Sequence, residues 1–407
     1  MALSHGRARG LGLTAVLVSA VIVVAGCGSS SKPASKSASA VSSATSSTTS
    51  AAESSSATSS TSSAAADVSY ATEQLKKYEG IPSFTYKGAK FDAAKAKGKT
   101  IFSIPLEHIN PFNVAVAEGM ERAAKELGIN FKVYWTAGQP SEWAAGMNEA
   151  ISSHVNLIDL QGGVNPAVLG PQVSAADKAG IPVVASHLYD LTQTPYKGTY
   201  SLPDNYKLAA ELESDGVIKE TNAKADVYVI LSNEVVPTAA IHETISEMFA
   251  KHCESCKVTF VNVPATEWGT KIEPDVQSAL VKDPNINYVI PIYDSMSSFV
   301  VSAIKAAGRT GKVFISTFNG TPFVMKMLQD EGIVKYEIGE DLGWEGYAYI
   351  DGEARLLAGE KIPQTLWEQT PLRVFTKANV NEAGVPPKLS TGYGEAFLAG
   401  YKSIWGI

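Results

Sequence analysis

Cysteine is scarce, three in 407 residues. That is too few for a disulfide-built scaffold, so the fold has to rest on an apolar core. Basic charge is short too: 34 Lys and Arg stand against 41 Asp and Glu, a formal net charge of −7. This balance excludes a nucleic-acid binder that relies on a basic face. No apolar run reaches the roughly 20 residues that a membrane-spanning helix needs; the longest, Leu11–Val24, falls short. Catalytic signatures are also missing. The chain has no Gly-x-Ser-x-Gly elbow, no His-Glu-x-x-His and no phosphate loop, so we expect no enzyme, no cofactor and no metal.

What the chain does have begins with an export signal over residues 1–27. Arg7 and Arg9 precede the apolar run, and Val24-Ala25-Gly26-Cys27 follows it. This ending resembles the bacterial lipobox, which would make Cys27 the lipid-carrying residue and hold the protein on the outer face of the cell membrane. Residues 28–66 are nearly all Ser, Ala and Thr. They cannot bury enough surface to offset the entropy of ordering and are expected to form a disordered tether. Residues 67–98 are a mixed lead-in, with a short helix expected over Tyr70–Tyr78.

The periodic part starts at Lys99. Ile101, Phe102 and Ile104 form a short apolar strand, and Asn110-Pro111 opens a helix as N-cap and first helical residue. Apolar residues three and four apart carry that helix through Val114, Val116, Met120, Ala123, Ala124 and Leu127 to Gly128. Strands and helices then alternate to residue 358, giving about ten strands. Three of the helices end alike just before a strand, in Lys-Glu-Leu-Gly, Asp-Lys-Ala-Gly and Lys-Ala-Ala-Gly. Such alternation predicts parallel sheets covered on both faces, and ten strands suit two lobes better than one. Ligands of such sheets sit beyond the carboxyl ends of the strands, here first at the loop Leu106–Phe112.

Cys253-Glu-Ser-Cys256 follows a helix end. Redox pairs of this spacing usually open a helix, and further zinc ligands are not apparent, so a small structural disulfide is expected.

Five motifs then stand in order: Asn110-Pro111-Phe112, Ala179-Gly180-Ile181-Pro182-Val183, Pro203-Asp204-Asn205, Tyr293-Asp294 and Phe318-Asn319-Gly320-Thr321-Pro322. Over Lys99 to Leu372 the chain thereby resembles type I periplasmic solute-binding proteins of the ribose/galactose class, the capture subunits of ABC importers. The resemblance implies an α/β fold of two Rossmann-like parallel-sheet lobes joined by three crossing strands, near Asp204, Glu340 and Gln369–Leu372. It divides the chain into 99–204 plus 341–371 for the N-terminal lobe and 205–340 plus 372–407 for the C-terminal lobe. LacI-type repressors share this fold but carry a helix-turn-helix where this chain has its signal and tether.

The resemblance also implies ligand contacts at Asn110, Phe112, Gln161, His187, Tyr293, Asp294, Asn319 and Glu340. Each has a second role open to it. Asn110 and Asp294 can cap helices, Asn319 and Gln161 can shape turns, Phe112 and His187 can serve the core, and Asp341 can stand in for Glu340. The motifs also depart from the ribose pattern. Ser186-His187-Leu188-Tyr189 replaces an Asp-Arg pair, Tyr293 and Asn319 replace Asn and Asp, and Ile241-His242-Glu243 offers no arginine. Without Arg or Lys an anionic ligand lacks its partner. Amides, carboxylates and aromatic faces suit a small neutral solute instead, most readily a sugar or polyol. The implied partners are ABC permease subunits, with the protein itself a monomer. A ligand-sensing surface receptor, or an importer receptor for an aromatic or other non-sugar molecule, is the alternative.

Overall fold

The computed structural model describes residues 55–330, 332–362 and 370–407, so Cys27 and Gln369 lie outside the described residues. Helix α1 (Ser55–Lys76) comes first. Five strands build the first sheet: β1 (Thr100–Pro105), β2 (Asn130–Val133), β3 (Leu157–Gln161), β4 (Val183–Asp190) and β5 (Tyr200–Asp204). Helices α2 (Pro111–Leu127), α3 (Pro140–Ser152) and α4 (Gly170–Lys178) connect them. The strand order is β2-β1-β3-β4-β5, every pair parallel.

The second sheet holds β6 (Asp226–Leu231), β7 (Lys257–Asn262), β8 (Tyr288–Pro291), β9 (Phe314–Asn319), β10 (Val334–Glu340) and β11 (Leu372–Phe375). Its order is β11-β10-β9-β8-β6-β7, with β11 antiparallel. Helices α5 (Tyr206–Glu220), α6 (Thr238–His252), α7 (Trp268–Lys282), α8 (Ser297–Ala306) and α9 (Pro322–Asp330) belong to it, and α10 (Leu342–Leu357) and α11 (Ala396–Trp405) complete the chain. The fold is thus two parallel α/β lobes. The chain leaves the first lobe at Asp204 and returns to it as α10 after Glu340.

Local chemistry sets these elements. The Asn110 Oδ1 accepts the Phe112 N–H at 3.0 Å, Pro111 opens α2, and Gly128 closes it at φ 68°. Strand β1 is buried along nearly its whole length, as a strand covered by helices on both faces should be. Between Ser103 and Ser186, on either side of β3, Asp159 accepts both hydroxyls at 2.6 and 2.7 Å. Burial nevertheless lifts its carboxyl to about 6, against those two hydrogen bonds.

The structure differs from the sequence reading in four places. Part of the expected tether is helical, because α1 starts at Ser55 and seats Ala71 and Leu75 in the core of the second lobe. Strand β5 replaces what the pattern read as loop, and strand β11 lies beyond the last element that the pattern gave; each is a short sheet-edge strand, where alternation is too brief to see. The last stretch, assigned to the C-terminal lobe, instead sends α11 to the first. Phe397, Tyr401, Ile404 and Trp405, spaced four, three and one apart, pack with Trp344 and Tyr347 of α10 in that core. The lead-in likewise bridges the lobes. The Val374 N–H donates to the Tyr78 carbonyl at 2.8 Å, while the Phe84 ring meets Trp344 and Tyr401 at 5.8 and 5.1 Å.

Cys253 and Cys256 are joined by a disulfide at the end of α6. Among the described residues no helix is long and apolar enough to cross a membrane.

Candidate binding cleft

The carboxyl ends of both sheets face each other across a narrow space of about 30 Å³. The first lobe supplies Leu106 and Asn110 from the β1–α2 loop, Phe112 from α2, Gly162 and Gly163 after β3, and His187 from β4. The second supplies Tyr206 at the start of α5, Val235 after β6, Trp268 at the start of α7, Tyr293 and Ser295 after β8, and Asn319 at the end of β9. This is the crevice where open parallel sheets bind ligands.

Two lining residues are held in uncommon backbone conformations. His187 has φ 50°, at the point where the β4–β5 register shifts, and Asn319 has φ 140° directly before Gly320. Such conformations cost on the order of 1–3 kcal/mol and persist where the surroundings fix them. Here the fixing is explicit. The His187 Nε2 donates to the Glu340 Oε1 at 2.8 Å, its Nδ1 meets the Tyr206 hydroxyl at 2.6 Å, and the Asn319 amide donates to the same Glu340 oxygen at 2.9 Å. Burial alone would lower the imidazole pKa, but the Glu340 and Asp204 charges and the bond to Glu340 outweigh it, so the ring is held charged above its ordinary range. Glu340 moves the other way: burial opposes ionisation, yet His187 keeps it below the usual carboxylate range.

Behind this pair sit two more buried acids. Burial raises Asp204 to about 7 against the opposing His187 charge, and Tyr349 donates to it at 2.7 Å. Glu345 lies 3.8 Å from the His187 ring nitrogen and is pushed well above the carboxylate range by burial and by the Glu340 and Asp204 charges. His187, Asp204, Glu340 and Glu345 each bring an atom of metal-ligand type within 4.8 Å of the others, a spacing a cation could use. Both ring nitrogens are already hydrogen-bonded, however, and the raised carboxyls describe a set neutralised by protons.

Five of the eight residues nominated from the sequence line the cleft: Asn110, Phe112, His187, Tyr293 and Asn319. The other three stand behind it. Gln161 donates to the Asn113 carbonyl at 3.1 Å. Asp294 accepts the Thr321 N–H and hydroxyl at 2.8 and 2.5 Å, and burial lifts it to about 7 against those bonds. Glu340 orients His187 and Asn319. Leu106, Tyr206, Val235, Trp268 and Ser295 were not nominated. Of these, Tyr206 follows the motif Pro203-Asp204-Asn205 and carried a positional signal, whereas Val235 and Trp268 read as ordinary core residues. The lobes touch at the mouth, where the Ser295 hydroxyl donates to the Asn110 Oδ1 at 2.7 Å.

A family profile described as a periplasmic binding protein domain matches residues 101–361. The chain belongs to the periplasmic binding protein family. Among curated relatives of this periplasmic binding protein, the ribose import binding protein RbsB of Escherichia coli is 23% identical over 291 residues, 71% of this chain and 95% of that protein. The D-apiose import binding protein of Actinobacillus succinogenes is 25% identical over 237 residues, 57% of this chain and 73% of that protein. Among solved structures, the 5-methylthioribose transporter solute-binding protein of Thermotoga lettingae superposes with a TM-score of 0.65 at 17% identity, covering 78% of this chain and all of that one. A carbohydrate transporter from Acidothermus cellulolyticus in complex with myo-inositol gives 0.59 at 20% identity, covering 70% of this chain and 97% of that one. At these identities the structures establish the fold, two lobes about a cleft.

Proposed function

We propose that this protein captures a small neutral solute, a sugar or sugar-like polyol, between its lobes and delivers it to the permease of an ABC importer. The observation that carries this reading is the cleft itself. Aromatic faces and amide side chains from both lobes converge on one enclosed space, without a Lys or Arg among the lining residues. An anion would find no charge-assisted partner there, whereas hydroxyls and an apolar ring face would. The names of the relatives, importer proteins for ribose and D-apiose, agree with this class. Binding rather than catalysis fits the groups present, since the one imidazole has both nitrogens committed to Tyr206 and Glu340. In this reading the solute bridges the lobes and favours the closed form by its differential affinity. Lipid on Cys27 then keeps a monomeric receptor at the outer face of the cell membrane, beside its permease.

A thermal-shift screen of the purified protein against sugars, polyols, aromatic acids and amino acids tests the class. A ligand that binds only the folded state raises the Tm by mass action. Selective shifts with sugars, polyols or their derivatives are expected. Shifts confined to amino acids or aromatic acids would overturn the carbohydrate assignment.

A further inference from the structure

The lobes are tied by more than the crossings at Asp204, after Glu340 and before Leu372. The chain passes between them twice more. Residues 79–84 carry it from α1, with Ala71 and Leu75 in the second-lobe core, toward Phe91, Ala93 and Ala96 in the first-lobe core. Residues 393–397 carry it from Tyr393 in the second core to Phe397 in the first.

One buried side chain fixes both added segments to the second lobe. Arg373 of β11 donates through Nε to the Glu79 carbonyl at 3.1 Å and through Nη1 to the Gly392 carbonyl. Its Nη2 meets Glu382 at 2.5 Å. A guanidinium suits this task because its donors form a rigid fork. On the first lobe both segments end against α11. Phe84 lies so close to that helix that a Cβ on Gly400 would stand 2.3 Å from its ring, and the Ala89 carbonyl accepts the Arg355 Nη2 at 2.9 Å. Midway the segments touch, since a Cβ on Gly394 would stand 3.0 Å from the Ile81 Cγ2.

The slack is small. The residues from Glu79 to Phe84 span at most roughly 17 Å when fully extended, and Pro82 holds one of their φ angles fixed. Between residues 80–83 and Asn205, Leu208 and Pro371 lies a space of about 530 Å³. The segment therefore stands off the neighbouring crossings and acts through its ends. Rotation of one lobe against the other changes the separation of those ends, and so short a segment absorbs little of it.

We propose that residues 79–84 and 393–397 form a brace across the hinge that limits how far the lobes open. The test is electron-spin distance measurement on the protein without solute. Labels go on Val168→Cys and Thr266→Cys, exposed positions on either lobe at the cleft mouth. A Cys27→Ser background leaves only these thiols to react, because Cys253 and Cys256 are joined. With the brace intact the distances should form one narrow distribution. Inserting Gly-Gly-Ser-Gly after Gly80 lengthens the segment and removes none of its anchors. It should add a population longer by at least about 5 Å. Arg373→Met, which frees both segments from the second lobe, should do the same, with a melting curve confirming the fold; the insertion decides the matter where that variant does not fold. A distribution already broad with the brace intact, or one unchanged by the insertion, would overturn this inference and leave the solute-capture reading standing.

Discussion

Asn319 does two things at once: its NH₂ donates to Glu340 and the residue lines the cleft. Asn319→Ala removes a polar group from the cleft lining, and a hydrogen bond to the solute is worth about 0.5–1.5 kcal/mol, so calorimetry should show solute binding weakened by roughly two- to tenfold. Unchanged affinity would remove Asn319 from the site. The buried acids make a second prediction. Asp159 and Asp341 sit at about 6, and Asp204, Asp215 and Asp294 at about 7, each lifted chiefly by burial. The fold holds these protons while the unfolded chain releases them near pH 4. Their stabilisation is therefore full below about pH 4 and is lost as pH rises through 6 to 7. His187, also raised, acts in the same sense above about pH 6.5. Glu340, lowered, contributes above about pH 4.5 and loses its contribution only as pH falls further. The Tm should fall from pH 5.5 to pH 8, and Glu345→Gln should flatten that fall. A Tm that climbs toward pH 8 would contradict the assignment of protons. At this scale the sequence showed Asn110, Phe112, His187, Tyr293 and Asn319 because each follows a recognisable strand end. It hid Val235 and Trp268, since a closed cleft buries its lining as fully as a core does.

Elements reveal why the periodic part was readable and its flanks were not. Helix α2 announces itself through its cap, its proline and its closing glycine, all within one sequence window. Helix α10 is fixed by something no window contains, its approach to α2 at Gly346. A Cβ on Gly346 would lie 2.2 Å from the Gly119 carbonyl carbon. Gly346→Ala should therefore destabilise the first lobe by overpacking, about 1–3 kcal/mol, seen as a lower midpoint in urea at unchanged slope. Helix α1 emerges from a Ser-rich stretch because tertiary contact at Ala71 and Leu75 selects it. Its sequence alone carried no such instruction. The aromatic seam of Phe84, Trp344, Tyr401 and Phe397 joins lead-in, α10 and α11 across more than 300 positions. Phe84→Ala should cost about 2 kcal/mol by the same urea measurement, and a neutral result would make the lead-in an ornament of the lobe.

The whole molecule is two sheets whose strand ends oppose each other, with the His187–Glu340 and Asn110–Ser295 contacts spanning the crevice. Alternating strands and helices made that architecture legible. Which lobe α1 and α11 join was not, because it depends on distant packing. The account stands or falls on where a solute sits. The most direct measurement is a crystal structure with the sugar or polyol that gives the largest shift in the thermal-shift screen. The account predicts that solute between the lobes, against Phe112 and within hydrogen-bond reach of Asn110 and Asn319. A ligand bound on the outside of either lobe, with the cleft unchanged, would contradict it.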